Sequence, residues 1–184
     1  YTGVAATDLA SRGFTGSGTV FDETTVSVTD GLGERHHVTR GYLKPYPCCR
    51  WAQPGVDAVL ALESAHDIDP AAVDAIRVRT FAEATHIGTR HPESIEAAEY
   101  SYPYPVAVAL VHGRLTPTEL LAFADGDSAV ERLADAVTLT VDDEIDERFP
   151  QECLARVEAV TGERTYESSV TRPRGARNRP PSAA

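Results

Sequence analysis

A chain of 184 residues, 42% hydrophobic and 24% charged, has the composition of one globular domain able to bury a core. Its formal net charge of -11 excludes a nucleic-acid binder, whose phosphate contacts need a basic face. No apolar run reaches the ~20 residues of a membrane-spanning helix, and 3 cysteines, two of them adjacent, do not make a secreted disulfide framework, so a reducing cytoplasm is expected.

Residues 2–12 read as an alanine-rich helix that stops at Gly13. The chain holds no methionine and opens on what reads as the middle of a helix, which predicts a piece of something larger or a trimmed chain. A turn over 14–18 leads to a strand over 24–28, and Asp30-Gly31-Leu32-Gly33 turns again. After the segment Tyr42 to Trp51, Pro54 starts a helix through His66, with Val56, Val59, Leu60 and Glu63 at helical spacing. Residues 73–81 alternate apolar and polar, as a half-buried strand does. The stretch 82–93 is loop-like, and Ser94 caps a helix running through Val111, broken locally by Pro103 and Pro105 and ended at Gly113. Thr116-Pro117-Thr118-Glu119 starts a short helix to Phe123, and another spans 128–135. Strands are predicted over 137–141, 154–161 and 164–171, the last two pairing as a hairpin through Gly162-Glu163, before an extended end rich in Pro and Arg. This order predicts an α+β fold, a mostly antiparallel sheet with helices on one face.

The chemistry concentrates in Tyr42-Leu43-Lys44-Pro45-Tyr46-Pro47-Cys48-Cys49-Arg50-Trp51, where two prolines stiffen the backbone around the only lysine of the chain. Lys44 reads as an anion clamp for a carboxylate or, less readily, a Schiff-base nucleophile, set against a plain solvated surface lysine. Arg35, Arg40 and Arg50 read, with Lys44, either as the local positive cluster that an anionic substrate of so acidic a chain requires or as scattered arginines that solubilise a surface. Cys49 reads either as a thiolate activated by Lys44 and Arg50 or as a small packing residue, and Trp51 as core. A metal site is not expected, because His36-His37 and Cys48-Cys49 are adjacent pairs without the spacing that lets two side chains reach one ion. Tyr100, Ser101 and Tyr102, at a helix start among prolines, present hydroxyls and free N–H groups suited to an oxyanion; the alternative is an amphipathic helix edged with tyrosines. His86 and His91 flank a loop. No G-x-S-x-G, P-loop, dinucleotide-binding glycine pattern or H-E-x-x-H is present.

Several stretches together resemble the MmgE/PrpD family. They are Leu32-Gly33-Glu34-Arg35, then Leu43 through Pro54 with Val56-Asp57-Ala58, and Ala98-Glu99-Tyr100-Ser101-Tyr102-Pro103-Tyr104. Asp146-Glu147-Arg148-Phe149-Pro150, Val157-Glu158 and Pro173-Arg174-Gly175 follow in the same order, and Gly3 to Gly16 fits the segment before them. The family includes 2-methylcitrate dehydratase, cis-aconitate decarboxylase and iminodisuccinate epimerase. The resemblance implies cofactor- and metal-free proton abstraction next to a carbonyl or carboxylate of a small polycarboxylate. It also implies a large helical domain and a smaller α+β lid with the active site between them. On that plan residues 1–35 are the end of the helical domain and a connector, 36–171 the lid, and 172–184 an extended return segment. Lys44, Cys49 and Tyr102 would then be catalytic, with Arg40, Tyr46, Arg50, Tyr100 and Ser101 binding substrate. Cys49 stands where the decarboxylase branch has a pocket histidine and Gln53 where many members have histidine, and both departures remove an imidazole, the usual acid or base near neutral pH. The implied whole is a lyase or isomerase completed by a second chain carrying the helical domain, in an oligomer. The alternative is a non-catalytic subunit that stabilises a catalytic partner.

Overall fold

The computed structural model describes residues 2–16, 31–34, 36, 41–162 and 164–175, and divides into two compact units, Tyr1–Arg40 and Gly41–Ala184. In the first unit α1 (Thr2–Ser11) buries none of its residues and ends as expected, with Gly13 at φ 84 in the left-handed region that glycine occupies without strain. The strand expected over 24–28 lies outside the described residues.

The second unit is a four-stranded sheet under a layer of helices. Its helices are α2 (Gln53–His66), α3 (Ile95–Glu99), α4 (Pro103–His112), α5 (Pro117–Leu121), α6 (Ser128–Ala136) and α7 (Asp143–Asp146). Its strands are β1 (Ala75–Thr80), β2 (Val137–Val141), β3 (Ala155–Thr161) and β4 (Arg164–Glu167), in the order β2-β1-β3-β4. The alternation read in the sequence has its cause here. Ile76, Val78 and Thr80 of β1 and Val157 and Ala159 of β3 are buried, while Arg77, Arg79, Arg156 and Glu158 lie on the opposite face. That outer face is held by charge: Arg79 reaches Glu158 at 2.5 Å and Glu167 at 2.7 Å, and Arg77 reaches Glu158 at 3.3 Å.

The α+β class holds, and the sheet is mostly antiparallel but mixed. β1 pairs antiparallel with β3, which forms a hairpin with β4, whereas β1 and β2 are parallel, Ile76 facing Val137. The crossover through α3 to α6 carries the chain back to the starting end of the sheet, which is what a parallel partner requires. Three local differences have plain causes. The helix expected from Ser94 to Val111 is two helices, because Pro103 and Pro105 cannot donate to the preceding turn, so the chain leaves helix at Glu99 and restarts at Pro103. β4 stops at Glu167 because Ser168 turns its side chain onto the ladder, its hydroxyl accepting from the Val157 N–H at 2.9 Å. The four-residue α7 is nucleated by Asp142, whose side chain accepts from the Ile145 N–H.

The core fills the space between sheet and helices. α4 buries Pro103 to Leu110 without a break, so no amphipathic pattern marks it. Phe81 stacks on Phe149 with centroids 4.2 Å apart, and Trp51 meets both edge-on at 6.0 and 6.1 Å, the expected core role for the lone tryptophan. Among the described residues no helix is long and apolar enough to cross a membrane.

Candidate functional site

The lysine segment is an irregular loop leading directly into α2, and its shape is set by two buried polar side chains of that helix. Gln53 is fully buried; its amide donates to the carbonyls of Tyr46 at 2.9 Å and Cys48 at 3.0 Å, and its oxygen accepts from the Tyr46 N–H at 3.3 Å. One turn on, the Asp57 carboxylate accepts from the Tyr46 hydroxyl, from the Arg174 backbone N–H at 2.5 Å and from Arg174 Nε at 2.9 Å. Arg174 also donates to the Tyr46 hydroxyl and sets its guanidinium 5.4 Å from the centre of that ring. The Leu43 N–H donates to the Gly175 carbonyl at 3.2 Å. Only glycine fits there: φ is +88, and a Cβ would stand 1.8 Å from the Leu43 oxygen. Lys44 is thus exposed at the crest of a loop whose two feet are tied down on either side of it.

The far side of the loop meets the second predicted segment. The Cys49 N–H donates to the Glu99 carbonyl at 2.7 Å, at the end of α3 and next to Tyr100. The charges of Lys44 and Glu99 both reach the Cys48 thiol, which burial, the largest influence, pushes well above its ordinary range. Arg50 lies over the Tyr42 ring at 5.1 Å, and its charge is felt at Tyr42 and Cys153. The half-buried Cys49 thus ties the lysine segment to the turn that carries the exposed Tyr100, two stretches of chain about fifty residues apart.

Other predicted residues are placed differently. Tyr102 is fully buried; its ring fills the space over Gly55, where a Cβ would come 2.4 Å from Cε1. Its hydroxyl faces Thr80 and Gly55 without completing a hydrogen bond, and burial raises its pKa strongly. Ser101 is also buried, donating to the Thr89 carbonyl and accepting from the Tyr104 N–H, so it anchors the start of α4. Tyr46, expected to bind substrate, is buried and serves the loop; its phenol is pushed up to about 12, by burial first and then by its bond to Asp57. Arg40 lies outside the described residues. His91 pairs with Asp135 at 2.8 Å and lines a cleft with Arg90, Tyr104, Glu119, Asp127 and Glu131, which the lysine loop does not enter.

Sequence reasoning assigned no role to Tyr42, Asp57 or Arg174. The Tyr42 hydroxyl is buried with no hydrogen-bond partner among the described residues, beneath Arg50 and within reach of the charge of Asp57. Asp57 and Arg174 fall inside the stretches that carry the family resemblance, and that was the available signal. Among the described residues no group of three or more His, Cys, Asp or Glu is arranged to hold a metal ion.

A search of curated proteins finds no match to this chain. The family model described as the MmgE/PrpD C-terminal domain matches residues 46–184, which is well over half of the chain and includes all four strands and every helix from α2 onward. Enzymes of dehydratase or lyase type make up that family. The match takes in Tyr46 through Arg50, the Glu99–Tyr102 turn and the Arg174 tie, and the chain belongs to the MmgE/PrpD family, of which residues 46–184 are the C-terminal domain.

Proposed function

We propose that this chain is the lid-bearing part of an MmgE/PrpD lyase or isomerase, acting on a small carboxylate by removal of a proton next to a carbonyl or carboxylate. Lys44, with Arg50 beside it, holds the substrate carboxylate and the oxyanion or enolate that develops as the proton leaves. Tyr100 presents its hydroxyl from the neighbouring turn, and Cys49, whose N–H bonds the Glu99 carbonyl of that turn, offers its thiol to the same substrate. Fixed donors at a developing oxyanion need no reorganisation during the reaction, which is why a loop tied at both ends suits the role. Proton transfer falls to a residue outside this chain, on a helical domain carried by a second chain. The observation that carries the reading is the single lysine of the sequence, exposed on a braced loop beside the Glu99–Tyr100 turn.

The test is turnover of small polycarboxylates by this chain co-expressed with a helical-domain partner, against either chain alone. In the active assembly Lys44→Ala should lower turnover by a factor on the order of 10²–10³, the usual worth of an oxyanion donor. Activity within about tenfold of the parent takes the lysine out of the site. A second reading, a subunit that only stabilises a catalytic partner, draws on the burial of Ser101 and Tyr102 and on Gln53, where a histidine was expected and an amide braces the loop. It predicts a partner chain that is fully active once stabilised, with no response to Lys44→Ala.

A further inference from the structure

The segment 171–175 crosses the domain far from its neighbours in sequence and is tied down in three places. Thr171 bridges to Ala155 through both backbone groups, with N–H to carbonyl distances of 2.7 and 3.3 Å. Arg172 pairs with Glu152, which also holds Arg148 at 2.5 Å. Arg174 and Gly175 then close over the lysine loop. The Arg174–Asp57 pair is asymmetric: the carboxylate side chain is 3% exposed and the guanidinium 41%. Burying a carboxylate that deep is costly unless it is paired and hydrogen-bonded, and Arg174 supplies a cation and two donors from a segment more than a hundred residues away.

Both ends of this tie lead to Lys44. On one side Arg174 bonds the Tyr46 hydroxyl, two residues after the lysine; on the other the Gly175 carbonyl holds the Leu43 N–H, the residue before it.

We infer that Arg174 is a positioning residue for Lys44: together with Gly175 it fixes the lysine loop on both sides of the amine, through Tyr46 and Asp57 and through the Leu43 N–H, so that the amine is held where a carboxylate ligand can approach. The inference rests on the reading of Lys44 as the carboxylate-binding amine.

The unique lysine makes the test direct, since acetic anhydride can modify only one ε-amine in the whole chain. The intact chain and its Arg174→Gln and Tyr46→Phe variants are acetylated with and without citrate, a small tricarboxylate, and the Lys44 peptide is quantified by mass spectrometry. Amide exchange of Leu43 and Tyr46 and the cooperativity of thermal unfolding are followed alongside. In folded Arg174→Gln the two amides should exchange faster, and the citrate concentration that halves acetylation should rise on the order of fivefold or more. Arg174→Lys, which restores the charge without the paired donors but adds a second ε-amine, is followed by amide exchange alone and should recover part of the protection of the Leu43 and Tyr46 amides. Tyr46→Phe, which deletes one hydroxyl, gives the same reading in milder form if Arg174→Gln does not fold. Unchanged citrate protection in a folded Arg174→Gln protein overturns the inference, whatever the amides do. If citrate fails to protect the parent, the carboxylate reading falls on its own. The acetylation rate without citrate then decides the inference: equal rates in parent and variant overturn it, and different rates uphold the tie between Arg174 and the amine.

Discussion

Gln53 shows how much one side chain does in this loop. It is fully buried, yet its amide satisfies a backbone N–H and two carbonyls that the irregular stretch 46–48 cannot pair within itself. Replacing it with alanine strands those groups away from water and opens a void, so Gln53→Ala should cost about 3 kcal/mol in urea unfolding. A loss under about 1 kcal/mol would mean that water takes over the amide's bonds. None of this could be read from the chain alone. In the sequence Gln53 is a polar residue next to a proline, and its distinction lay in what the resemblance led one to expect instead. Lys44 was legible because rarity is a sequence property. Tyr46 and Asp57 were not, because the bond between them exists only once the loop has folded back on α2.

At the level of elements, the starts of the helices were the most readable features, since a cap is local chemistry. Ser94, Thr116 and Asp127 each accept from backbone N–H groups within three residues, as their positions predicted or allow. The box at α5 is complete: Glu119 accepts from the Thr116 N–H and hydroxyl and from Arg114 Nε at 2.7 Å. These bonds, the Thr116 hydroxyl first and Arg114 next, lower the Glu119 pKa from 4.5 to about 2. A carboxyl whose folded pKa is depressed stabilises the fold above its unfolded value and loses that contribution as pH falls through its folded value. The melting-temperature gap between the parent and Glu119→Gln should therefore be widest above pH 4.5 and close between 4.5 and about 2. A gap that does not change with pH would show that the carboxylate's charge is not what closes the box. The pairing of β1 with β2 was hidden for the opposite reason: whether two strands run parallel depends on the path between them, which no local pattern encodes.

For the molecule as a whole, every buried side chain among the described residues falls between Tyr46 and Pro173, inside the unit Gly41–Ala184. A chain beginning at Gly41 should accordingly unfold in one cooperative transition, near the melting temperature of the full chain. Loss of cooperativity on removing residues 1–40 would show that the second unit depends on the first. The α+β class was legible because alternation and helical spacing survive in a single sequence, and the mixed sheet was not. The order of the strands also constrains how the protein is made. β1, the strand between its two main partners, is joined to β2 with Ile76 against Val137 and to β3 with Ala75 against Val160. Both partners leave the ribosome long after it does. A nascent chain paused anywhere before β2 carries an apolar strand with no neighbour, and contacts this distant in sequence form slowly. The lysine loop is completed later still, because its brace at Arg174 and Gly175 follows β3 and β4 in the chain. Synthesis of this protein thus passes through a long interval in which its binding loop and its sheet are both unfinished, and chaperone demand should concentrate there.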